Sequence, residues 1–175
     1  MRNDNARWQP AEGLERPAFT TSTFALRLVR PRRQTLISGP HASALALAGV
    51  AGATGWPGPA MAETYALRLR RDRILVVNGP ELADGWHAQE GLAVSDMTDG
   101  YAVLEMSGTD AMSILRRGTE IALNEPSASA ARGFAGYSTL IYSCGAQNRY
   151  RVHVPRGDLE GLWALLLSFA EQVDT

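Results

Sequence analysis

Two similar stretches decide the fold: TLISGPHA at residues 35–42 and LEMSGTDA at residues 104–111. In each, an apolar run typical of a strand ends in Ser-Gly, two residues intervene, and an alanine begins a helical pattern. Each stretch is followed by two further strand candidates and a second helical pattern. The chain is therefore predicted to contain two tandem β-α-β-β-α units.

In the first unit, apolar runs bounded by turn residues predict strands at residues 34–38, 65–69 and 74–77. Helical patterns are predicted over about residues 41–53 and 81–90. The second helix of this unit lies in a largely polar stretch that includes His87.

The second unit carries the clearest periodicities. Strands are predicted at residues 138–143 and 150–154, and a closing amphipathic helix over about residues 158–173. In the last strand the apolar residues Tyr150, Val152 and Val154 alternate with Arg149, Arg151 and His153. This alternation is typical of a half-buried strand, so we expect His153 to face outward. The closing helix places seven apolar residues on one face: Leu159, Leu162, Trp163, Leu166, Phe169, Ala170 and Val173.

The tandem units predict an α+β fold with a mixed or mostly antiparallel sheet and helices packed on one face. A chain of 175 residues suits one ordinary domain. We expect that domain to span residues 34–175, with half-repeats at about 34–92 and 101–173. Residues 1–33 hold seven arginines and three acidic residues and show little apolar periodicity, which predicts a flexible basic N-terminal arm.

The middle helix carries start and stop signals. Ser107 and Asp110 stand in S-x-x-D spacing at its head, so the serine oxygen is expected to accept a hydrogen bond from a first-turn amide. Gly118 is expected to form the C-cap. Residues 124–136, rich in Ser, Ala and Gly around Pro126, are predicted to form a loop.

Composition and motifs exclude several classes of function. With 17 basic and 18 acidic residues the net charge is -1, which gives no general attraction to a phosphate backbone, so a nucleic-acid partner is not expected. No lysine occurs, which excludes a Walker-type phosphate loop, and neither G-x-G-x-x-G nor G-x-S-x-G is present. No apolar run reaches the roughly 18 to 20 residues needed to cross a bilayer, so no membrane segment is expected.

The histidines and the lone cysteine show no metal-ligand spacing. His41, His87 and His153 are scattered, without a second histidine at i+2, i+3 or i+4. Cys144 cannot form an internal disulfide and lies on a predicted core strand, where a free cysteine acts as a small apolar side chain. This fits a reducing compartment. The alternative is a reactive thiol paired in space with His153.

Three carboxylates, Asp96, Asp99 and Asp110, cluster around the start of a strand. Paired acids can shift each other's pKa and serve acid–base catalysis. The same residues are also what a turn into a strand requires, and that interpretation is favoured. We therefore predict no catalytic, cofactor-binding or metal-binding residue on this chain.

An export signal is an alternative for the N-terminal third. Arg32-Arg33 precede an apolar stretch and then Ala60-Met61-Ala62, which together resemble a twin-arginine signal with an A-x-A cleavage site. The competing prediction is a strand at 34–38 followed by a helix over about 41–53. The second prediction is favoured because the repeat requires this segment in the fold.

The stretch VSDMTDGYAVLEMSGTDA at residues 94–111, continuing to Leu115, Gly118 and residues 121–123, resembles the aminomethyltransferase-like family. That family includes the glycine-cleavage T protein and subunits of heterotetrameric sarcosine oxidase. The compact length, the strand at residues 73–77 and the Leu/Trp-rich closing helix are most similar to the gamma subunit. The resemblance covers about residues 34–172, and residues 94–123 are its distinctive part.

The resemblance implies a duplicated fold of the folate-binding-protein type. It also implies a non-catalytic small (gamma) subunit with a structural or assembly role in a cytoplasmic complex that demethylates sarcosine oxidatively. The larger alpha and beta subunits are the expected partners, and they are expected to carry the FAD, FMN, NAD and tetrahydrofolate. No catalytic residue is carried over, since the chain is far shorter than the T protein and shows no identifiable folate pocket. Sister complexes acting on dimethylglycine or N-methylglutamate would have small subunits that look alike.

Three hypotheses follow. A structural subunit would contact its partners through the arm at 1–33, the segment Trp56-Pro57-Gly58-Pro59 and the loop at 124–136. A stand-alone folate-dependent one-carbon transfer protein would need a pterin-sized pocket faced by Asp96 or Asp99. An exported binding module would retain residues 63–175 as its mature chain, and it requires residues 34–53 to be dispensable for the core.

Overall fold

The computed structural model describes residues 16–119, 124–145 and 147–173. Within these residues the chain forms twelve strands, three α-helices and a 3₁₀ turn at Arg156–Asp158. The strands are β1 (Phe19–Thr20), β2 (Ala25–Val29), β3 (Gln34–Ser38), β4 (Ala53–Thr54), β5 (Tyr65–Arg70), β6 (Arg73–Val77), β7 (Gly85–His87), β8 (Leu92–Asp96), β9 (Tyr101–Ser107), β10 (Ala131–Phe134), β11 (Tyr137–Ser143) and β12 (Arg149–Pro155). The helices are α1 (His41–Ala48), α2 (Ala111–Gly118) and α3 (Leu159–Glu171).

The strands form two six-stranded sheets. Sheet A has the order β1-β2-β9-β12-β11-β10 and is antiparallel throughout. Sheet B has the order β4-β5-β6-β3-β8-β7, in which only the β4–β5 pair is parallel. The predicted α+β fold with mixed or antiparallel pairing is confirmed, with two sheets in place of the single sheet that was expected.

The sheets pack face to face, and the helices cover their outer faces. One apolar cluster combines Tyr65, Leu67 and Leu75 of sheet B with Leu140 and Tyr142 of sheet A, so it lies between the sheets. A second cluster joins sheet A to α2 and α3, and a third joins sheet B to α1. Each sheet therefore has helices on one face and the other sheet on the opposite face.

Two β-hairpins pair with strands of the sheet opposite to that of the strand that follows them in the chain. The hairpin β1–β2 precedes β3 in the chain, but β2 pairs with β9 of sheet A. The hairpin β7–β8 precedes β9, but β8 pairs with β3 of sheet B. The exchange gives both central strands a second neighbour, so neither presents an open edge.

The prediction that residues 1–33 form a flexible arm is wrong for the part that forms the hairpin β1–β2. Residues 19–29 of the 1–33 segment belong to sheet A, and Leu26 opposite Met106 is fully buried. The alternation of Phe24, Leu26 and Leu28 with Arg27 is the period-two pattern of a strand, which the high arginine content of the segment obscured. Residues 1–15 of the predicted arm lie outside the described residues.

The helix predicted over about residues 81–90 is wrong. The segment forms strand β7, and Gly85 at its start has a φ of 116°, which a helix cannot include. The first unit has no counterpart of α3 among its described elements.

Helix α2 begins and ends differently from the prediction. Ser107 is the last residue of β9, and the helix starts after Asp110 without a side-chain capping hydrogen bond. Gly118 is the last helical residue, and Thr119 takes the C-cap position. A Cβ on Gly118 would lie 2.4 Å from the ring of Phe134, so the glycine allows β10 to approach the helix. The predicted loop at 124–136 contains β10, and residues 121–123 of the resemblance motif lie outside the described residues.

Candidate functional site

A line of polar side chains runs between the two sheets. Arg151 Nη1 donates to the hydroxyl of Tyr65 at 3.1 Å, and the hydroxyls of Tyr65 and Tyr142 are 2.6 Å apart. The Tyr142 hydroxyl lies 2.8 Å from Nε2 of His153. The guanidinium can only donate, so the hydroxyl of Tyr65 accepts from Arg151, and hydrogen bonds from Tyr65 to Tyr142 and from Tyr142 to His153 continue the line in either direction. We refer to these four residues as the intersheet network.

His153 ends the network as a neutral imidazole. Burial first, and the positive charge of Arg151 second, lower its pKa to about 3. Its Nε2 is hydrogen-bonded to the hydroxyl of Tyr142, and its Nδ1 has no partner among the described residues. The outward orientation predicted for His153 is wrong, because the face of β12 that was expected to meet water packs against sheet B.

At the other end of the network, Glu105 forms salt bridges with three arginines. Its Oε1 accepts from Arg27 Nη2 at 2.6 Å and from Arg149 Nη2 at 2.6 Å, and its Oε2 accepts from Arg151 Nε at 3.1 Å. Burial alone raises the pKa of Glu105, but these hydrogen bonds, led by that from Arg149, outweigh it and hold the pKa below its usual value. One carboxylate thus pairs with three guanidinium groups, so the cluster carries a net positive charge.

Cys144 lies beside this cluster. It lines a cavity of about 270 Å³ together with Tyr65, Arg149 and Arg151. The side chain is buried, and burial raises the pKa of its thiol, so the nucleophilic thiolate is disfavoured. Its interpretation as a buried, small apolar side chain is confirmed. The Nε2 of His153 is bonded to Tyr142, so it does not activate the cysteine.

The three candidate carboxylates have separate partners. Asp96 accepts from the backbone N–H of Thr98 at 2.8 Å, and its hydrogen bonds with Thr98 lower its pKa. Asp99 pairs with Arg156 at 2.7 Å, and Asp110 stands at the start of α2. Within the described residues, no hydrogen bond or ion pair links one of these carboxylates to another. The interpretation as turn residues therefore describes them better than acid–base catalysis.

The remaining histidines also lie apart. His41 begins α1, as predicted. His87 lies on strand β7 rather than on a helix, and its Nε2 is 2.7 Å from the carbonyl oxygen of Ala83. Over residues 16–119, 124–145 and 147–173, no group of three or more His, Cys, Asp and Glu side chains is arranged to hold a metal ion.

The intersheet network has little catalytic capacity near neutral pH. Burial raises the pKa of both tyrosines, while the pKa of His153 is lowered, so these groups move away from the range in which they exchange protons at pH 7. The network satisfies polar groups in the interior of the sandwich. Periodicity did not identify it, although the unusual run of Arg149, Arg151 and His153 on one strand face was visible in the sequence.

Two large apolar side chains are exposed among the described residues: Trp86 is 68% exposed and Met61 is 70% exposed. Trp86 lies on β7, which is an edge strand of sheet B. By contrast, Trp56, predicted to contact a partner, is 2% exposed and packs against Tyr150 with ring centroids 5.9 Å apart. Pro57 remains exposed. The sequence interpretation missed Trp86 because it placed that residue on a helix.

None of the helices in the described part of the chain is long and apolar enough to cross a membrane.

The chain was compared with protein-family models, curated proteins and solved structures. No protein-family model matches the chain, and no curated protein matches it. A chain of the heterotetrameric sarcosine oxidase from Corynebacterium sp. U-96, solved in complex with pyrrole 2-carboxylate, has a similar structure with a TM-score of 0.70 and 20% sequence identity. The match covers 87% of this chain and 86% of that one, so the two chains are of similar length.

Proposed function

We propose that this chain is the non-catalytic small (gamma) subunit of a heterotetrameric complex of the sarcosine oxidase type. The observation that carries the proposal is the structural likeness to a chain of such a heterotetramer over nearly the whole length of both chains. A likeness that covers 86% of the other chain compares one whole subunit with another, rather than a common domain within a larger enzyme.

The arrangement of polar side chains supports a non-catalytic role. The nucleophile and acid–base candidates on the described residues are buried, ion-paired or engaged in turns. Cys144 is a buried thiol with a raised pKa, Asp99 is paired with Arg156, and His153 is a neutral interior group. The proposed contribution to the complex is therefore assembly, while the chemistry belongs to the alpha and beta subunits.

The proposal places the cofactors on those larger subunits. FAD, FMN, NAD and tetrahydrofolate serve the oxidative demethylation of sarcosine and the transfer of the one-carbon unit, and the complex acts in sarcosine catabolism in the cytoplasm. No residue of this chain is assigned to any of the four cofactors.

The partner surface is proposed to include the exposed edge at β7. A large exposed apolar side chain on an open strand edge favours contact with another chain. The aromatic side chain proposed to contact a partner is therefore Trp86 rather than the buried Trp56. The exposed Pro57 remains a proposed contact from the segment at residues 56–59.

A stand-alone folate-dependent transfer protein is not favoured. The cavity lined by Asp99 has a volume of about 240 Å³, below the roughly 300–1,000 Å³ usual for ligand pockets, and its carboxylate is paired with Arg156. The other candidate carboxylate, Asp96, accepts a hydrogen bond from the backbone N–H of Thr98 in a turn.

An exported module that retains residues 63–175 is not favoured, because the N-terminal third contributes to sheet B. Strand β3 pairs with β6 on one side and β8 on the other, and Ile37 is fully buried. Cleavage after Ala62 would remove this central strand of sheet B.

Affinity purification of the tagged chain from its native host tests the proposal. We expect two larger proteins to co-purify, with flavin absorbance in the eluate and amine-dependent oxidase activity. A panel of sarcosine, dimethylglycine and N-methylglutamate identifies the amine. Recovery of a colourless monomer without a partner contradicts the proposal.

A pair of variants tests the partner surface. Trp86→Ala is expected to reduce recovery of the partners because it removes the exposed aromatic side chain from the edge of sheet B. Met61→Ala, which removes the other large exposed apolar side chain, serves as the comparison. If the wild type and both variants recover the partner proteins equally well, the partner interface lies elsewhere on the chain.

A further inference from the structure

Positive charge is concentrated where β5 turns into β6. The stretch RLRRDR at residues 68–73 holds four arginines and one aspartate, which gives it a net charge of +3. The whole chain has a net charge of -1, so the residues outside this stretch carry -4. We refer to residues 68–73 as the arginine hairpin.

The four arginines of this hairpin form no salt bridge with an acidic side chain in the described part of the chain. Arg70 and Arg71 are exposed, while Arg68 and Arg73 are half-buried. Arg73 Nε donates to the hydroxyl of Ser38 at 3.1 Å, and this neutral partner leaves the charge uncompensated. Seven arginines elsewhere do pair with a carboxylate: Arg16, Arg27, Arg32, Arg33, Arg149, Arg151 and Arg156.

The strand pairing places two of the hairpin's charges against each other. Arg70 and Arg73 are cross-strand partners in the β5–β6 ladder. Like charges directly opposite each other destabilise a sheet. Asp72, the acidic residue of the turn, forms no salt bridge with either of them among the described residues. A local arrangement that costs stability without a compensating contact inside the chain is typical of a functional surface.

Neighbouring elements hold the backbone of the hairpin in place. The backbone N–H of Gly39 donates to the carbonyl oxygen of Asp72 at 2.8 Å, which ties the turn to the start of α1. The backbone N–H of Ala130 donates to the carbonyl oxygen of Arg68 at 2.8 Å. Leu69 is buried in the apolar cluster between the sheets. Charged groups on a fixed backbone lose less conformational freedom on binding than groups on a mobile loop.

A surface depression lies on each side of the hairpin. Arg70 and Arg73 line one of them together with residues of sheet A. Arg68, Arg71 and Asp72 line the other together with residues 39–41. Among the described residues that line the two depressions, Asp72 is the only acidic one. A chain lying across the hairpin would therefore meet arginines on both sides.

The charge distribution favours a short acidic protein segment over a long polyanion. A nucleic acid or an anionic membrane extends beyond the hairpin and would meet the net negative charge of the remaining chain. An acidic segment a few residues long would meet the arginines alone. Guanidinium groups also match carboxylates in shape, because two N–H groups can donate to the two oxygens of one carboxylate.

We propose that the arginine hairpin is a docking site for an acidic segment of a partner protein, whose carboxylates pair with Arg70 and Arg71. The inference rests on the proposed function, because the partner is taken to be one of the larger subunits. It adds a charged contact to the apolar one at Trp86. The two contacts are separate, since β3 and β8 lie between β6 and β7 in sheet B.

Co-purification of the tagged chain from its native host at rising sodium chloride concentrations tests the docking site. The Arg70→Glu/Arg71→Glu variant is expected to reduce the partner recovered per tagged chain by about tenfold or more, because the reversed charges repel an acidic segment. Wild-type recovery is expected to fall as salt rises, since exposed charge pairs are screened. Arg30→Glu/Arg116→Glu makes the same charge change at two exposed arginines outside the hairpin and is expected to behave as the wild type does.

Two measurements separate docking from a structural role of the hairpin. Urea unfolding of the tagged chain is expected to show that Arg70→Glu/Arg71→Glu is no less stable than the wild type, because both side chains are exposed and the repulsion between Arg70 and Arg73 is removed. Phenylglyoxal modification of the wild type, read by mass spectrometry, requires no substitution. Arg70 and Arg71 are expected to react in the isolated chain and to be protected in the complex.

The outcomes separate this proposal from the assignment as a subunit. If the wild type recovers no partner, both are wrong. If the hairpin variant recovers the partners as well as the wild type at every salt concentration, the docking site is wrong and the assignment stands. Equal losses with the hairpin and control variants would show a general effect of net charge and overturn the docking site. Release of the wild-type partners by nuclease would assign the hairpin to nucleic acid instead.

Discussion

At the scale of single residues, the interior of this protein is organised by arginines and by the groups that pair with them. Glu105 pairs with three guanidinium groups, and Arg151 continues from that cluster into the tyrosines and His153. A buried polar group is tolerated when its hydrogen bonds are made, and this network makes most of them. Arg132 is the contrast, since two of its nitrogen atoms are buried without a partner.

The lowered pKa of His153 predicts a pH dependence of stability. Its pKa is about 3 in the folded protein against an ordinary value of 6.5, so the unfolded chain binds the proton first as the pH falls. The free energy of unfolding therefore decreases with falling pH between these two values, by up to about 1.4 kcal/mol per pH unit for this one group. Urea unfolding at several pH values between 6.5 and 4.5 measures the slope.

His153→Gln provides the control for that slope. The glutamine amide can hydrogen-bond to the Tyr142 hydroxyl through its oxygen or its nitrogen but takes up no proton, so the variant is expected to lose the His153 contribution between pH 6.5 and 4.5. Acidic residues with lowered pKa values, such as Glu105 and Asp96, contribute mainly below this window. The same slope in the variant and the wild type would show that His153 does not titrate as described.

At the scale of elements, the close approach of α2 to β10 depends on the last helical residue. Gly118 leaves the space that the ring of Phe134 occupies, and Phe134 is 1% exposed. The glycine therefore has a packing role rather than the capping role that its position near the helix end indicated. Thr119 continues the contact by pairing with Phe134.

Gly118→Ala is expected to destabilise the protein by about 1–3 kcal/mol, because the added methyl group overlaps a buried ring. Gly157→Ala is the matched control, since a Cβ at that position meets no atom within 4 Å. The midpoints of chemical unfolding of the two variants measure the difference. A Gly118→Ala variant as stable as the control would mean that Phe134 has room to move.

At the scale of the whole molecule, the two repeats are held together by exchange of their hairpins. Because β2 pairs with β9 and β8 pairs with β3, each sheet contains strands from both units. Neither half can complete its sheet without the other, which makes the duplicated domain one cooperative structure. We propose on this basis that each repeat starts at its hairpin, earlier than the boundaries at residues 34 and 101 that the pattern indicated.

Leu26→Ala tests the exchange from within the segment that was predicted to be a flexible arm. The side chain is fully buried against sheet A, so its loss is expected to cost about 2–5 kcal/mol of unfolding free energy. Leu28→Ala on the same strand, where the side chain is only partly buried, is expected to cost less. A negligible effect at Leu26 in urea unfolding would indicate that the hairpin does not dock on sheet A.

Much of the local structure follows from the sequence alone. Apolar patterns predicted the strand at Gln34–Ser38 and a closing helix over about residues 158–173, which the structure has at Leu159–Glu171. The repeat predicted the start of α1 at His41, and the predicted core strand indicated the burial of Cys144. These features depend on neighbouring residues, since a repeat of 2 or 3.6 positions shows which side chains share a face.

Tertiary structure alone decided the rest. Periodicity shows that His153 lies on the face of β12 opposite Val152, but not whether water or another sheet covers that face. Hairpin exchange, the burial of His153 and the unpaired edge of Arg132 all depend on residues far apart in the chain. Strand pairing and charge pairing between such residues are set by the packing of the two sheets, and no local pattern records them.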